Sequence, residues 1–140
     1  MEVHVNYLAV VLAMVSSMVV GSIWYAQSVF GKMWIKLARI DMTKDKGRVI
    51  KPIITTLIVS LITAYVLAHV AYLSHRFFGN SFLQDSVTTA FWLWLGFTAA
   101  RFVTHDAFEG RPAKLTVLNC AHEFVTIILM GVVIGMVGIS

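Results

Sequence analysis

Long apolar stretches dominate the chain and alternate with short polar segments. Four of them approach or exceed the roughly 20 apolar residues that a helix needs to cross a bilayer core, at residues 7–24, 53–72, 86–108 and 113–137. We predict helices because unpaired backbone groups are costly in lipid, and the chain lacks the shorter alternating segments of a barrel. The pattern predicts an all-α fold, an integral membrane four-helix bundle in one domain over residues 1–140.

A shorter, two-faced segment at residues 29–40 follows the first stretch. At helical spacing its apolar side chains fall on one face and its basic side chains on the other, with Met33, Trp34 and Leu37 opposing Lys32, Lys36 and Arg39. This pattern predicts a basic amphipathic helix in the membrane interface. Trp24 and Tyr25 just before it are predicted interface anchors, as is Trp34. The helix either turns the chain as an anchor or offers a surface that senses lipid or binds a partner.

Basic residues are distributed unevenly between the loops. The opposite side of the bundle has only Arg76, whereas the two loops that share one side hold Lys32, Lys36, Arg39, Lys44, Lys46, Arg48 and Lys51, and then Arg111 and Lys114. Because Lys and Arg concentrate in cytoplasmic loops, these two loops are predicted to be cytoplasmic and both termini to lie outside.

Composition agrees with a membrane protein. Charged residues make up 13% of the chain, against about 25% in soluble domains, so the surrounding solvent must itself be apolar. The net charge of +4 is concentrated beside a span, which predicts anionic lipid headgroups as partners rather than nucleic acid.

Small side chains form ridges on two of the stretches. Ala9, Ala13, Ser17 and Gly21 recur every four residues, and Gly131 and Gly135 form a GxxxG pattern. Such ridges let helix backbones approach closely, either within one chain or between chains. The second stretch carries a stripe of hydroxyls, Thr56, Ser60 and Thr63, which either lines a solute path or bonds to carbonyls one turn back.

Ionisable residues inside a span are costly and therefore informative. On the third stretch the spacing places three polar residues on one face, Thr98, Arg101 and His105. The fourth stretch carries a similar face with a histidine beside it, made of Asn119, Glu123, Thr126 and His122. These residues are the candidate site of the chain.

The turn between these stretches is short, so they must be antiparallel neighbours. If Pro112 is the centre of the hairpin, Arg101 lies opposite Glu123 at one depth, and the same register sets His105 against Asn119 and Thr98 against Thr126. Arginine stays protonated and needs an anion. The register predicts a buried Arg101–Glu123 ion pair, which either fixes the hairpin or forms a ligand or proton site.

Other chemistry is missing from the sequence. Cys120 is the single cysteine, and neither it nor the histidines have the spacing of a zinc site. No P-loop, nucleophile elbow, dinucleotide fingerprint or HExxH motif is present. We therefore predict no metal, no cofactor and no catalytic residue.

Several motifs resemble those of a known family. They are Val20-Gly21-Ser22-Ile23-Trp24-Tyr25, Phe30-Gly31-Lys32 with Trp34, the run from Phe91 to Phe97, Phe108-Glu109-Gly110-Arg111, and Asn119, His122 and Met130-Gly131. Nearly the whole chain resembles a bacterial family of small four-span proteins that is catalogued only as a domain of unknown function, number seventeen sixty-one. The resemblance implies a bundle in the bacterial inner membrane and no established activity. Arg101 and Glu123 lie outside those motifs, which makes their pair a local specialisation.

Three functional hypotheses follow. The first is a non-enzymatic module that forms a homo-oligomer or joins a larger membrane complex. The second is an oligomeric small-solute or proton-coupled carrier that uses the Arg101–Glu123 site, and the third is a membrane-embedded enzyme. A wet cavity at the pair would favour the carrier, and a dry, packed pair would favour the module.

Overall fold

Helices account for all the regular structure in the described part of the chain. The computed structural model describes residues 3–41 and 50–139. Its elements are α1 (Tyr7–Trp24), a first π turn (Gln27–Gly31), α2 (Lys32–Ala38), α3 (Ile50–Phe78), α4 (Phe82–Leu93), a second π turn (Trp94–Ala99), α5 (Ala100–Phe108) and α6 (Ala113–Val137). The predicted all-α class is confirmed. The predicted basic residues Lys44, Lys46 and Arg48 lie outside the described residues.

Three of these helices, α1, α3 and α6, are long and apolar enough to cross a membrane. The third predicted span corresponds to α4, the second π turn and α5, which follow one another without a break over residues 82–108. This run carries charged residues at both ends and within it, Asp85, Arg101 and Asp106. Its crossing of the membrane, and with it the four-span topology, stays a prediction.

Side-chain caps and turn residues set the helix boundaries. Asn6 begins α1, because its side-chain oxygen accepts hydrogen bonds from the backbone N–H of Leu8 and Ala9 at 3.1 and 3.3 Å, the usual role of an N-cap. Ser81 begins α4 in the same way, accepting from the N–H of Gln84 at 3.2 Å. The left-handed φ of +65° at Gly110 ends the α5 segment cheaply only because glycine has no Cβ.

The core lies where α1 and α4 pack on α3 and α6. Its buried side chains are small on α1 and larger on α3 and α6, and they include Ala9, Ala13, Ala64, Leu67, Ala90, Met130 and Ile134. Ser17 of the predicted α1 ridge is also buried, and Gly21 lies against α6. The ridge is therefore used for packing within one chain.

The GxxxG pattern of α6 is also used within the chain. A Cβ atom added to Gly135 would lie 2.5 Å from the Cα of Leu83, and one added to Gly131 would lie 3.0 Å from the Cβ of Ala90. Both glycines thus allow α4 to approach α6 closely, as small residues do in membrane bundles.

The bundle has two different ends. At the distal end α1 and α4 begin and α3 and α6 finish. There the side-chain amide of Asn6 donates to the carbonyl of Gly138 at 3.2 Å, and the rings of His4 and Tyr72 meet edge to face at 5.9 Å. At the basic end, α1 and α5 finish and α3 and α6 begin. The basic end is the predicted cytoplasmic side.

Candidate functional site

One polar cluster in the basic half of the bundle is built around the imidazole of His122, on α6. Two aromatic rings from the end of α1 enclose it, with centroid distances of 5.8 Å to Trp24 and 4.9 Å to Tyr25. Gly21, one turn earlier on α1, lies beside the ring, since a Cβ there would make ordinary van der Waals contact with Nε2 at 3.7 Å. The imidazole is thus held between two helices inside an aromatic enclosure.

Both ring nitrogens of His122 face polar partners on its own helix. Nδ1 lies 3.3 Å from the Oε1 atom of Glu123, and Nε2 lies 3.5 Å from the hydroxyl of Thr126. The tautomer decides which nitrogen donates. This arrangement can hold a proton between an imidazole and a carboxylate.

Two buried polar atoms beside this enclosure have no hydrogen-bond partner among the described residues. They are the indole N–H of Trp24, a donor, and the Oδ1 atom of Asn119, an acceptor. Trp24 touches the His122 ring directly, and Asn119 precedes His122 by about one helical turn. Buried polar groups nearly always have a hydrogen-bond partner, so these two atoms are an unused donor and an unused acceptor inside the bundle.

The phenol of Tyr25 is neutral in this setting. Burial, and secondly the negative charge of Glu123, raise the pKa of Tyr25 to about 12. The ring also packs edge to face on Trp34 at 5.2 Å. Because the phenol keeps its proton, Tyr25 remains a hydrogen-bond donor over the whole physiological pH range.

The first π turn brings the interfacial segment back over the cluster. Trp24 packs on Phe30 at a centroid distance of 4.6 Å, so the chain folds back on itself directly after α1. Gly31 is buried against backbone of Tyr25 and Ala26, with no room for a side chain. Of the three predicted aromatic anchors, Trp24 and Tyr25 therefore pack on His122 of α6, and Trp34 packs on Tyr25.

The predicted faces of the interfacial segment are largely present. Its basic side chains, Lys32, Lys36 and Arg39, are exposed. Its apolar side chains Phe30, Trp34 and Leu37 are half-buried, whereas Met33 is exposed. The structure forms this segment as a π turn followed by a seven-residue helix. Its depth in a bilayer stays a prediction.

The predicted polar residues of the third stretch lie together, but away from those of α6. Thr98, Arg101 and His105 line one open groove of about 320 Å³ at the basic end, with Asp106 and Glu109. Arg101 and His105 are exposed, and Thr98 is half-buried. The spacing therefore identified a shared face correctly.

The predicted pairing across the hairpin is not formed as a direct contact. No hydrogen bond or ion pair joins Arg101 to Glu123 in the described chain, and Glu123 faces His122 instead. Likewise, Thr126 faces His122 rather than Thr98, and Asn119 has no contact of this kind with His105. The register explains the difference: the centre of the observed contacts is closer to the α5 side than Pro112, and the second π turn alters the helix phase before Arg101. The carrier hypothesis therefore stays a prediction, without a direct Arg101–Glu123 contact to support it.

The sequence pattern did not identify a buried carboxylate near the hairpin turn. Asp106, 4% exposed, accepts a hydrogen bond from the hydroxyl of Thr116 at 2.7 Å. Its Oδ1 atom lies 3.7 Å from Nε of Arg111, which also pairs with Glu109 at 2.6 Å. The spacing of Asp106 and Thr116 about the turn was the available signal, but it required a centre one residue earlier.

A second buried carboxylate lies at the distal end. Asp85, in the first turn of α4, is 2% exposed. Its two oxygens lie 3.1 Å from Nδ1 of His75 and 3.0 Å from the amide nitrogen of Asn80. The turn Phe78-Gly79-Asn80-Ser81 was a usable sequence signal, because residues on either side of so short a turn must meet.

The chemistry that these clusters offer is proton holding and hydrogen bonding. Within residues 3–41 and 50–139 no group of three or more His, Cys, Asp or Glu side chains could hold a metal ion.

Comparison with known proteins identifies a family whose description names no activity. A family model described as Protein of unknown function (DUF1761) matches residues 8–135. No curated protein and no solved structure matches the chain. Four motif positions that carried the family resemblance meet in the enclosure around His122, namely Gly21, Trp24, Tyr25 and His122 itself.

Proposed function

Since the chain belongs to the DUF1761 family, whose description names no activity, we propose a function from its own geometry: a non-enzymatic membrane module that associates with a second copy. The proposed contact surface is residues 50–63, the half of α3 at the basic end of the bundle, which we call the basic half of α3. The small-residue ridges of α1 and α6 are occupied by contacts within the chain, so they are not available for this association.

The observation that carries the proposal is the exposure of this half-helix. Every residue from 50 to 62 is exposed except the half-buried Ser60, and the first buried side chain of α3 is Ala64. Large apolar side chains project all round it, with exposed fractions of 50% at Ile53, 55% at Ile58 and 57% at Ile62. The rest of α3 is packed against α1 and α4. The basic half thus has most of its circumference free for lipid or a neighbouring helix, and only Ser60 and Thr63 in it are half-buried.

Hydroxyls on this half-helix favour a protein neighbour over lipid. Thr56, Ser60 and Thr63 have no side-chain hydrogen bond in the described chain, whereas Ser22 and Thr104 donate to carbonyls one turn back at 2.8 and 2.9 Å. A hydroxyl without a partner is costly in an apolar medium. Each hydroxyl is both donor and acceptor, so the stripe is complementary to the same stripe on a second copy.

Cysteine cross-linking in native membranes tests the contact. In a Cys120→Ser background, Thr56→Cys and Ser60→Cys should give disulfide-linked dimers on mild oxidation. Ile58→Cys is the matched control, because at about 100° per residue it points away from the stripe. Replacing the three hydroxyl residues by Val, Ala and Val should weaken the dimer by about 0.6 kcal/mol for each interhelical hydrogen bond lost. Equal cross-linking at all three positions, or none at any, would refute the contact.

A further inference from the structure

A groove at the distal end has the size of a small-molecule site. It lies between the last two turns of α3 and the first three turns of α4, and its volume is about 510 Å³. Ligand pockets typically measure about 300 to 1,000 Å³. Neither the exposed half of α3 nor the His122 enclosure contributes to it.

The groove changes from polar to apolar along its length. Asn80, Gln84 and Asp85 line its outer part, and Val70, Trp92 and Leu93 line its inner part. From Phe78 to Val70 the helix rises about 12 Å at 1.5 Å per residue. The lining therefore matches an elongated amphiphile with its polar head at the distal end and its apolar body toward the middle of the bundle.

The polar part of the groove carries a buried negative charge. Asp85 is 2% exposed, and its carboxylate receives one hydrogen bond from Asn80 and one contact from His75. A carboxylate offers about four acceptor positions, so about two remain. His75 supplies a compensating charge only when it is protonated. None of the residues that line the groove is Lys or Arg.

Part of this arrangement has a structural explanation. Asp85 lies in the first turn of α4, where the helix dipole favours an anion, and its contact with His75 ties α3 to α4. These roles account for the presence of the acid. They do not account for an aromatic-walled groove that opens onto the acid, with the exposed rings of Phe77 and Trp92 at 82% and 61% exposure.

We propose that this groove binds an amphiphile that carries a protonated primary amine. The ammonium group donates hydrogen bonds to the free positions of the Asp85 carboxylate, and the apolar body lies along Leu73 and Trp92. A buried carboxylate selects a cation because an unpaired charge in an apolar site is costly. The amine has two possible sources, the ethanolamine headgroup of a membrane lipid and a free lipophilic amine.

Equilibrium dialysis with the full chain in phosphatidylcholine nanodiscs tests the proposal, with empty nanodiscs as the blank. The probes are 3-phenylpropylamine, its N-trimethyl derivative, which has no N–H donor, and 3-phenylpropanol, which has no charge. The primary amine should bind the protein more tightly than either of the others. If the alcohol binds as well as the amine, the groove is only apolar and the proposal is wrong.

Two variants and one control locate the site. Asp85→Asn should lower the affinity for the amine at least about tenfold, the effect of losing one charge-assisted hydrogen bond, and leave the alcohol unchanged. Trp92→Ala removes an exposed wall and should weaken both probes, which keeps the test decisive if Asp85→Asn fails to fold. Asp106→Asn alters the other buried carboxylate and should leave binding unchanged. Equal amine affinity in folded Asp85→Asn, or in Trp92→Ala, would overturn the assignment.

Lipid composition separates the two sources. When phosphatidylethanolamine replaces phosphatidylcholine, a lipid occupant should compete and lower the apparent affinity for phenylpropylamine. An unchanged affinity assigns the site to free amines. Both results support recognition of an ammonium group, and neither bears on the association through α3.

Discussion

The close approach of α4 and α6 at Gly135 allows a quantitative test of the fold. In Gly135→Ala the new methyl group would lie 2.5 Å from the Cα and 2.9 Å from the Cδ1 of Leu83. The first contact is with backbone, so a rotamer change cannot relieve it and the helices must move apart. Overpacking costs about 1–3 kcal/mol, and alanine returns about 0.5–1 kcal/mol of helix stability. The midpoints of these two ranges leave a net loss of about 1 kcal/mol in the free energy of unfolding.

Gly96→Ala is the matched control for this change. Gly96 is also helical, but a Cβ there has nothing within 4 Å, so the variant should be neutral or gain up to about 1 kcal/mol. Reversible unfolding in mixed micelles measures both variants, together with oligomeric state. If Gly135→Ala is as stable as Gly96→Ala, the α4–α6 contact is wrong. If it changes only the oligomeric state, the glycine ridge lies between chains.

Three further predictions concern the polar groups. Thr116→Val should lower the free energy of unfolding by about 1.5–3 kcal/mol, because it removes a buried hydrogen bond to a charged group. Thr104→Val, at an exposed hydroxyl, should change it by less than about 0.5 kcal/mol, and the same unfolding assay measures both variants. A double-mutant cycle of Arg101→Ala and Glu123→Ala should give additive costs within about 0.5 kcal/mol, and a larger coupling would restore the ion pair that the structure lacks. Folding raises the pKa of Tyr25 from 10.0 to about 12, so the stability linked to this phenol is fully present below pH 10 and is lost as the pH rises from 10 to about 12. The tyrosinate absorbance of the folded protein should therefore show a component that titrates late and that Tyr25→Phe removes. A titration that Tyr25→Phe leaves unchanged would contradict this prediction.

The helices were predictable because their signal is one of length and solvent. A stretch of about 20 apolar residues has few alternatives in lipid, and α1 begins and ends at the residues expected, Tyr7 and Trp24. The aromatic anchors were predictable for a similar reason, since Trp24 and Tyr25 lie at the end of an apolar span and Trp34 lies in the two-faced segment after it. The convergence of Trp24 and Tyr25 on His122 was not predictable, because it depends on how α1 and α6 pack in three dimensions.

The pairing of residues across the α5–α6 hairpin was harder to predict because it depends on which residue is the centre of the turn. An error of one residue in that centre moves the predicted partner by two residues. Asp106 contacts Thr116, and their midpoint is Arg111; a methyl on Gly135 would meet Leu83, and their midpoint is Glu109. Moving the centre from Pro112 to these residues shifts the position opposite Arg101 from Glu123 to the range 117–121. A shift of two residues rotates a helix face by about 200°, which is enough to separate the two charges.

The two π turns explain why sequence periodicity succeeded within the regular helices and failed for contacts between helices beyond the π turns. Along α1 and α6 the small-residue spacing led to real contacts, because those segments are regular α-helix. The first π turn, Gln27–Gly31, reverses the path after α1 and carries Trp34 onto Tyr25. The second, Trp94–Ala99, precedes Arg101 and changes the phase of every residue after it relative to α4. Because a π turn has no simple sequence signature and frequently marks a functional position, the polar groups that follow these turns are where experiment adds most to the sequence.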